Sequence, residues 1–250
     1  MLGRPAASSM VTGEPAKDAQ TAAALALWRP GLWRLKLAGE TRVIAGVGDR
    51  SSDVSGLAGQ LGMSGGVVCA EQVHGVGIAA VDLGAAVAGP VPGCDGLVTQ
   101  TAGTALVIRT ADCLPVFAWD PRQQAVGIAH AGWRGLAKRL PARLVAFLVE
   151  RYHSRPGDLW IGIGPAIRSC CYEVDEQFAP AFAPYIRRAD GRRTCDLIAA
   201  AVHQIRSAGV RAERVVDSGE CTACDAARWH SVRRDGESAG RLFSFIAIRR

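Results

Sequence analysis

The sequence predicts an α+β (mixed α/β) fold, a single domain with mixed β-sheets flanked by helices. Three observations carry this. Short apolar runs punctuated by glycine and serine fill the first half of the 250-residue chain. Two helical stretches cluster in the second half instead of alternating regularly with strands, and neither a repeat nor a linker breaks Val43 to Ile248. With 49% hydrophobic residues, the chain is long enough to bury one large core.

Taken in order, Met1 to Gln20 mixes Ala, Ser, Gly, Pro and charge and reads as a floppy tail. Residues 1–40 are expected as a flexible or peripheral segment ahead of a catalytic domain spanning 41–250. Basic residues directly before an apolar core, the mark of a secretory leader, are missing near Met1. Ala22 to Trp28 is too short to cross a bilayer, so a soluble, cytoplasmic protein is expected. Thr41 to Val47, Gly66 to Cys69 and Val76 to Val81 read as strands, followed by Ala105 to Thr110, Leu114 to Trp119 and Ala125 to Ala129. Asp120 to Gln123 (DPRQ) supplies a turn between the last two. Pro141 suits the first residue of a helix through ARLVAFLVERY, where its missing N–H would have no partner. Asp196 to Ser207 forms a second helix, capped by Asp196 and ended before Gly209. Leu159 to Ile163, Arg214 to Asp217 and Leu242 to Ile248 complete the strands.

The net charge of +6 comes mostly from scattered arginines, so no nucleic-acid or membrane partner is expected. Eight cysteines in a chain with no export signal read as thiols. Cys221 and Cys224 make a lone CxxC, weak evidence for metal or redox work, and adjacent Cys170 and Cys171 read as structural.

The chemistry starts at Ala111 to Val116 (ADCLPV). If the DPRQ turn closes a simple hairpin whose paired numbers sum to 243, Cys113 lies opposite His130, with Cβ atoms about 4.5–5.5 Å apart. A Cys–His pair is a nucleophile with its base, two ligands of a metal, or packing. After His130 comes AGWRG, where Gly132 and Gly135 let backbone approach a ligand and Arg134 offers a planar donor fork, an anion site. His74 ends a strand in EQVHG. Three such ligands suit zinc with an open fourth position.

QVHG (Gln72 to Gly75), ADCLPV, HAGWRG (His130 to Gly135), IGPAI from Ile163, CYEV (Cys171 to Val174), CT at Cys221 and SVRRDG at Ser231 resemble, in that order, the polyphenol oxidase or laccase-domain family. Its members are described as purine nucleoside phosphorylases and peptidoglycan editing factors. The resemblance implies an α/β fold of layered, cysteine-hydrolase-like architecture with a single metal site, with His74, Cys113 and His130 as catalytic residues and zinc ligands, copper being the alternative metal. It further implies phosphorolysis of adenosine, guanosine, inosine and methylthioadenosine with inorganic phosphate, and deamination of adenosine in the same site. Arg50, Arg134 and Arg233 are candidates to hold phosphate or ribose, with Gln72 beside the substrate. Asp112 either orients a ligand or caps a turn. A conventional laccase needs histidines in His-x-His pairs, and this chain has five histidines and no such pair. His153, His203 and His230 are left to surface or packing. GVGDRSSD replaces an expected Asn-x-x-Arg-like element, and WHSVRR replaces the family's aromatic at FSYRR. Two alternatives stand beside the phosphorylase: a metal-independent cysteine hydrolase or amidase acting on peptidoglycan precursors, and a non-catalytic envelope or divisome binding protein. A monomer or weak dimer is expected.

Overall fold

The computed structural model describes residues 24–37, 42–82, 89–176, 178 and 180–250, so the expected tail up to Gln20 lies outside the described residues. In chain order the elements are β1 (Leu25–Arg29), β2 (Leu32–Leu35), β3 (Val43–Gly48), α1 (Leu57–Leu61), β4 (Val67–Cys69), β5 (Ile78–Ala80) and β6 (Gly96–Thr99). There follow β7 (Ala105–Thr110), β8 (Leu114–Asp120), β9 (Ala125–Ala131), α2 (Trp133–Ala137) and α3 (Leu140–Tyr152). The chain closes with β10 (Trp160–Ile163), β11 (Ile186–Ala189), β12 (Arg192–Cys195), α4 (Leu197–Ser207), β13 (Val215–Asp217), α5 (Val232–Asp235) and β14 (Leu242–Ile248).

Two six-stranded mixed sheets result, ordered β1-β2-β3-β14-β7-β4 and β13-β10-β8-β9-β6-β5, with β11 and β12 as a separate hairpin. The first sheet starts before the expected boundary at residue 41, because β1 and β2 pair onto β3 and bury Leu25, Leu32 and Leu35.

Side-chain alternation sets the layers. Phe117, Trp119, Val126 and Ile128 of the second sheet meet Leu35, Val47, Ile108 and Ile246 of the first in one apolar cluster between the sheets. From the opposite face of the second sheet, Leu114, Val116, Ala129 and Ala131 pack on Leu144 and Leu148 of α3 and Ile198 and Ala201 of α4. The outer face of the first sheet packs Ile44, Val107 and Phe245 on Leu57 and Leu61 of α1. The central strands β8 and β9 are thus buried on both faces, which explains their near-continuous apolar sequences.

The helix over Asp196 to Ser207 stands as expected, with the Asp196 carboxylate accepting from the Ala199 N–H at 2.9 Å. Pro141 falls in the first turn of α3, one residue after its start at Leu140. The β8–β9 register differs from the expected one. Asp120 pairs with Ala125, Phe117 with Ile128 and Pro115 with His130, so each pair is displaced by two residues. The Asp120 carboxylate accepts from the N–H groups of Arg122 and Gln123, and Gln124 takes a left-handed φ of 51°, so the turn needs four residues and Asp120 stays in the ladder. A displacement of two preserves the face on which every side chain lies. Cys113 therefore sits diagonal to His130 rather than opposite it, just beyond the end of the strand.

Close approach of the sheets depends on Gly162 of β10, where an added Cβ would lie 2.5 Å from Leu35 Cδ2 and 2.7 Å from Leu37 Cδ2. Gly162→Ala is expected to destabilise the fold by about 1–3 kcal/mol through overpacking, read by chemical denaturation. Gly59→Ala, in α1 with open space around it, serves as the near-neutral control.

Candidate active site

Residues 111–113 carry the chain from β7 in the first sheet to β8 in the second. That crossing bends at Asp112, whose φ of 85° lies in the left-handed region that few non-glycine residues occupy. Asp112 is held there from two sides: its Oδ1 accepts from Thr222 Oγ1 at 2.6 Å and its Oδ2 from the Arg233 N–H at 2.7 Å. Its carbonyl accepts from the Ile167 N–H at 3.0 Å. The Asp112 side chain thus ties three loops together and fixes where the following Cys113 points. It makes no hydrogen bond to either histidine ligand candidate; its role is in the backbone.

The residue that orients the histidines is Asp95, fully buried just before β6. Its Oδ1 accepts from His130 Nδ1 at 2.9 Å and from the His74 N–H at 3.0 Å, and its Oδ2 accepts from the Gly75 N–H at 2.6 Å. Its carbonyl also accepts from the His130 N–H at 2.7 Å. One carboxylate therefore fixes the His130 ring and the backbone of the His74 loop, where His74 has a φ of 57°. Burial raises the Asp95 carboxyl, but these hydrogen bonds outweigh it and hold it below the usual range.

His74, Cys113 and His130 then converge. Their ligand atoms lie within 4.8 Å of one another, and the imidazoles meet edge to face with centroids 4.8 Å apart. His130 is buried and His74 exposed, so the group opens to one side. With Asp95 on Nδ1, His130 presents Nε2 inward. Such a donor set can hold a metal ion. Burial pushes the Cys113 thiol up, but hydrogen bonds from His130 and His74 and their charge bring it down to about 7. Burial lowers His130, whereas Asp95 and the Cys113 sulfur outweigh it and raise it to about 9. The metal-free site is therefore a thiolate–imidazolium pair between those values. Gly132 allows the convergence: an added Cβ would lie 2.9 Å from Cys113 Sγ and 3.5 Å from His74 Cδ2.

The three ligands line a cavity of about 710 Å³ whose wall carries Arg109, Arg134, Arg233 and Arg241. Arg134 lies over the Trp133 ring at 4.5 Å, and Arg233 over Tyr172 at 4.9 Å while donating to the Glu173 carbonyl at 2.7 Å. Burial pushes the Tyr172 phenol up to about 12, leaving it neutral at physiological pH. Gln72 also lines the cavity, but its amide is engaged with the backbone of Arg109, donating at 2.6 Å and accepting at 2.7 Å. Arg50 does not line this cavity; it donates to the Ala226 carbonyl. Sequence reasoning missed Asp95, Arg109 and Arg241, which belong to none of the motifs and reach the site only through strand ends. His203 bonds the Tyr185 hydroxyl, and His230 packs against Gly240, so neither joins the site.

A second group lies elsewhere. Cys170, Cys171, Cys221 and Cys224 bring four sulfurs within 4.8 Å, and they can bind a metal such as zinc. The CxxC therefore has a partner pair from a remote segment, and Cys170 and Cys224 are exposed rather than buried.

A family profile described as multi-copper polyphenol oxidoreductase laccase matches residues 44–249. The chain belongs to that family. Within it, the chain is 38% identical over 197 residues to "Purine nucleoside phosphorylase YlmD" of Geobacillus stearothermophilus, covering 73% of this chain and 72% of that protein. It is 35% identical over 187 residues to "Purine nucleoside phosphorylase" of Deinococcus radiodurans, covering 72% and 69%. It is also 33% identical over 163 residues to "Adenosine deaminase RL5" of an unknown prokaryotic organism, covering 62% of each. The crystal structure of YlmD from Geobacillus stearothermophilus superposes with a TM-score of 0.82 at 30% identity, over 91% of this chain and 99% of that one. The two-sheet architecture is therefore a laccase-family, YlmD-like fold. Among the described residues, no helix is long and apolar enough to cross a membrane.

In metal-stripped protein, the rate of Cys113 alkylation should rise with pH through a midpoint of about 7, because the thiolate is the form that the histidines favour. Asp95→Asn should move that midpoint upward. Gly132→Ala should displace the sulfur and lower alkylation at pH 7 while leaving the far-ultraviolet spectrum of the fold unchanged.

Proposed function

We propose that the chain is a zinc-dependent purine nucleoside phosphorylase, taking adenosine, guanosine, inosine or methylthioadenosine with phosphate to the free base and a ribose 1-phosphate, and deaminating adenosine in the same site. The observation that carries this reading is that His74, Cys113 and His130 open together into the arginine-lined cavity. The names of the relatives support the substrate class. The donor set fits zinc: one thiolate, two imidazoles, a carboxylate bracing one of them, and an exposed side for a fourth ligand.

Zinc held by these ligands supplies Lewis acidity, toward a phosphate oxygen in phosphorolysis and toward water in deamination. Arg134 and Arg233, each laid over an aromatic ring, present planar donor forks with little freedom left to lose when they take phosphate oxygens. A phosphate oxygen so placed attacks C1′ of the ribose as the bond to the purine nitrogen breaks, and the bonding pair leaves with the base. The base then takes a proton from solvent in the open cavity. Arg109 and Arg241 add positive charge where the base departs as an anion. In deamination, water adds at C6 of adenine and ammonia leaves. Asp95 keeps the proton on His130 Nδ1 throughout, so the ring keeps its orientation.

A metal-free cysteine hydrolase is the second reading, favoured by the thiol brought down to about 7 beside His130. Covalent trapping by a thiol-reactive substrate in zinc-free protein distinguishes it.

Purified protein incubated with adenosine and phosphate should yield adenine and ribose 1-phosphate, with inosine as a second product. Product absent at every zinc loading would overturn the reading. Cys113→Ala and His130→Ala should each lower phosphorolysis by about 100-fold or more, since loss of a mere bracing partner already costs 10–100-fold. Arg134→Ala should raise the phosphate KM about tenfold, the worth of one charge-assisted contact.

A further inference from the structure

We infer that Cys170, Cys171, Cys221 and Cys224 form a second metal site, a closed structural zinc tetrathiolate that fixes the wall of the cavity at Asp112. The geometry begins with β10 and β13, which pair in parallel and lead their chains to the same end of the second sheet. The pairing continues past both strands, through the bridge between Ala166 and Cys221 and the hydrogen bonds from Ala166 N to Glu220 O and Thr222 N to Ala166 O. Segments about fifty residues apart in sequence thereby deliver two thiols each to one point.

The sulfur separations are those of shared coordination. Cys170 lies 3.6 Å from Cys221 and 3.5 Å from Cys224, and Cys171 lies 3.3 Å from Cys224. A tetrahedral ion with Zn–S bonds of about 2.3 Å sets its sulfurs about 3.8 Å apart, a few tenths of an ångström from these distances. All eight cysteines are free thiols. Four thiolates select a soft or borderline ion, and a site with four protein ligands and no open position is the structural form for zinc. Each thiol still protonated releases its proton to solvent as its sulfur binds.

The site has a structural task within reach. Thr222, between Cys221 and Cys224, donates to Asp112, and its carbonyl accepts from Arg234 Nη1 at 2.9 Å. Tyr172, next to Cys171, lines the cavity and stacks with Arg233. Locking the two cysteine segments together therefore holds the contacts that keep Asp112 in its left-handed conformation and Cys113 aimed at His74 and His130.

The test counts zinc in the full chain, purified without chelator, by elemental analysis. Cys221→Ser/Cys224→Ser should lose one equivalent relative to the parent, whereas Cys113→Ala should keep that equivalent. Cobalt loaded into Cys113→Ala should give intense near-ultraviolet thiolate-to-metal bands and the visible bands of a tetrahedral ion, a readout independent of turnover. Titration of the parent protein with an organomercurial should release the same zinc as these thiols react, which covers a misfolded double variant. Zinc content unchanged in a folded double variant, no thiolate bands with cobalt, or a zinc-free parent whose mass is lower by the four hydrogens of two disulfides would each overturn the assignment.

Discussion

The buried carboxylate of Asp95 gives up all of its hydration, and it is stable as an anion only because His130 Nδ1 and the N–H groups of His74 and Gly75 surround it. Two of those donors, on His130 and His74, belong to residues that meet at the site. The energetics of burying one charge and the positioning of two imidazoles are therefore a single event, and the site geometry follows from the need to satisfy Asp95. Cys113 enters from the opposite direction, on the segment crossing between sheets, and Gly132 leaves the space in which its sulfur fits.

Asp112 does for the thiol what Asp95 does for the imidazoles, but through backbone conformation: its carboxylate draws Thr222 and Arg233 to one bend in the chain. A tetrathiolate behind Thr222 would secure that bend from the side remote from the substrate. The two metal sites would then divide the work, one closed and structural, one open and facing four arginines. The open site would suit an anionic ligand, because the Arg134 and Arg233 guanidiniums are already laid over aromatic rings before a ligand arrives.

Much of this was legible in the sequence because strands report their burial directly. The apolar runs of β7, β8, β9 and β14 were readable as strands, and the glycines around His130 marked a place of close approach. The Cys113–His130 relation was found on the right face despite a register displaced by two, since the face depends only on whether the displacement is even. Three kinds of feature were not legible. Asp95 sits in CDGLV with no pattern that separates a bracing carboxylate from a turn aspartate. Arg109 and Arg241 come to the cavity from strand ends that only the paired sheets bring together, while Arg50, beside a suggestive glycine-rich stretch, turns to Ala226. The CxxC at Cys221 looked solitary because its partners reach it through a parallel strand pair that a single sequence does not announce.

The central claim is that two imidazoles and one thiolate bind a single zinc ion with a position left open. X-ray absorption at the zinc edge, taken as the difference between the parent protein and Cys113→Ala so that only this site contributes, tests it most directly. The account predicts one sulfur at about 2.3 Å and two imidazole nitrogens at about 2.0 Å, with a further light atom that changes when phosphate is added. A spectrum without sulfur, or one without imidazole, would contradict it.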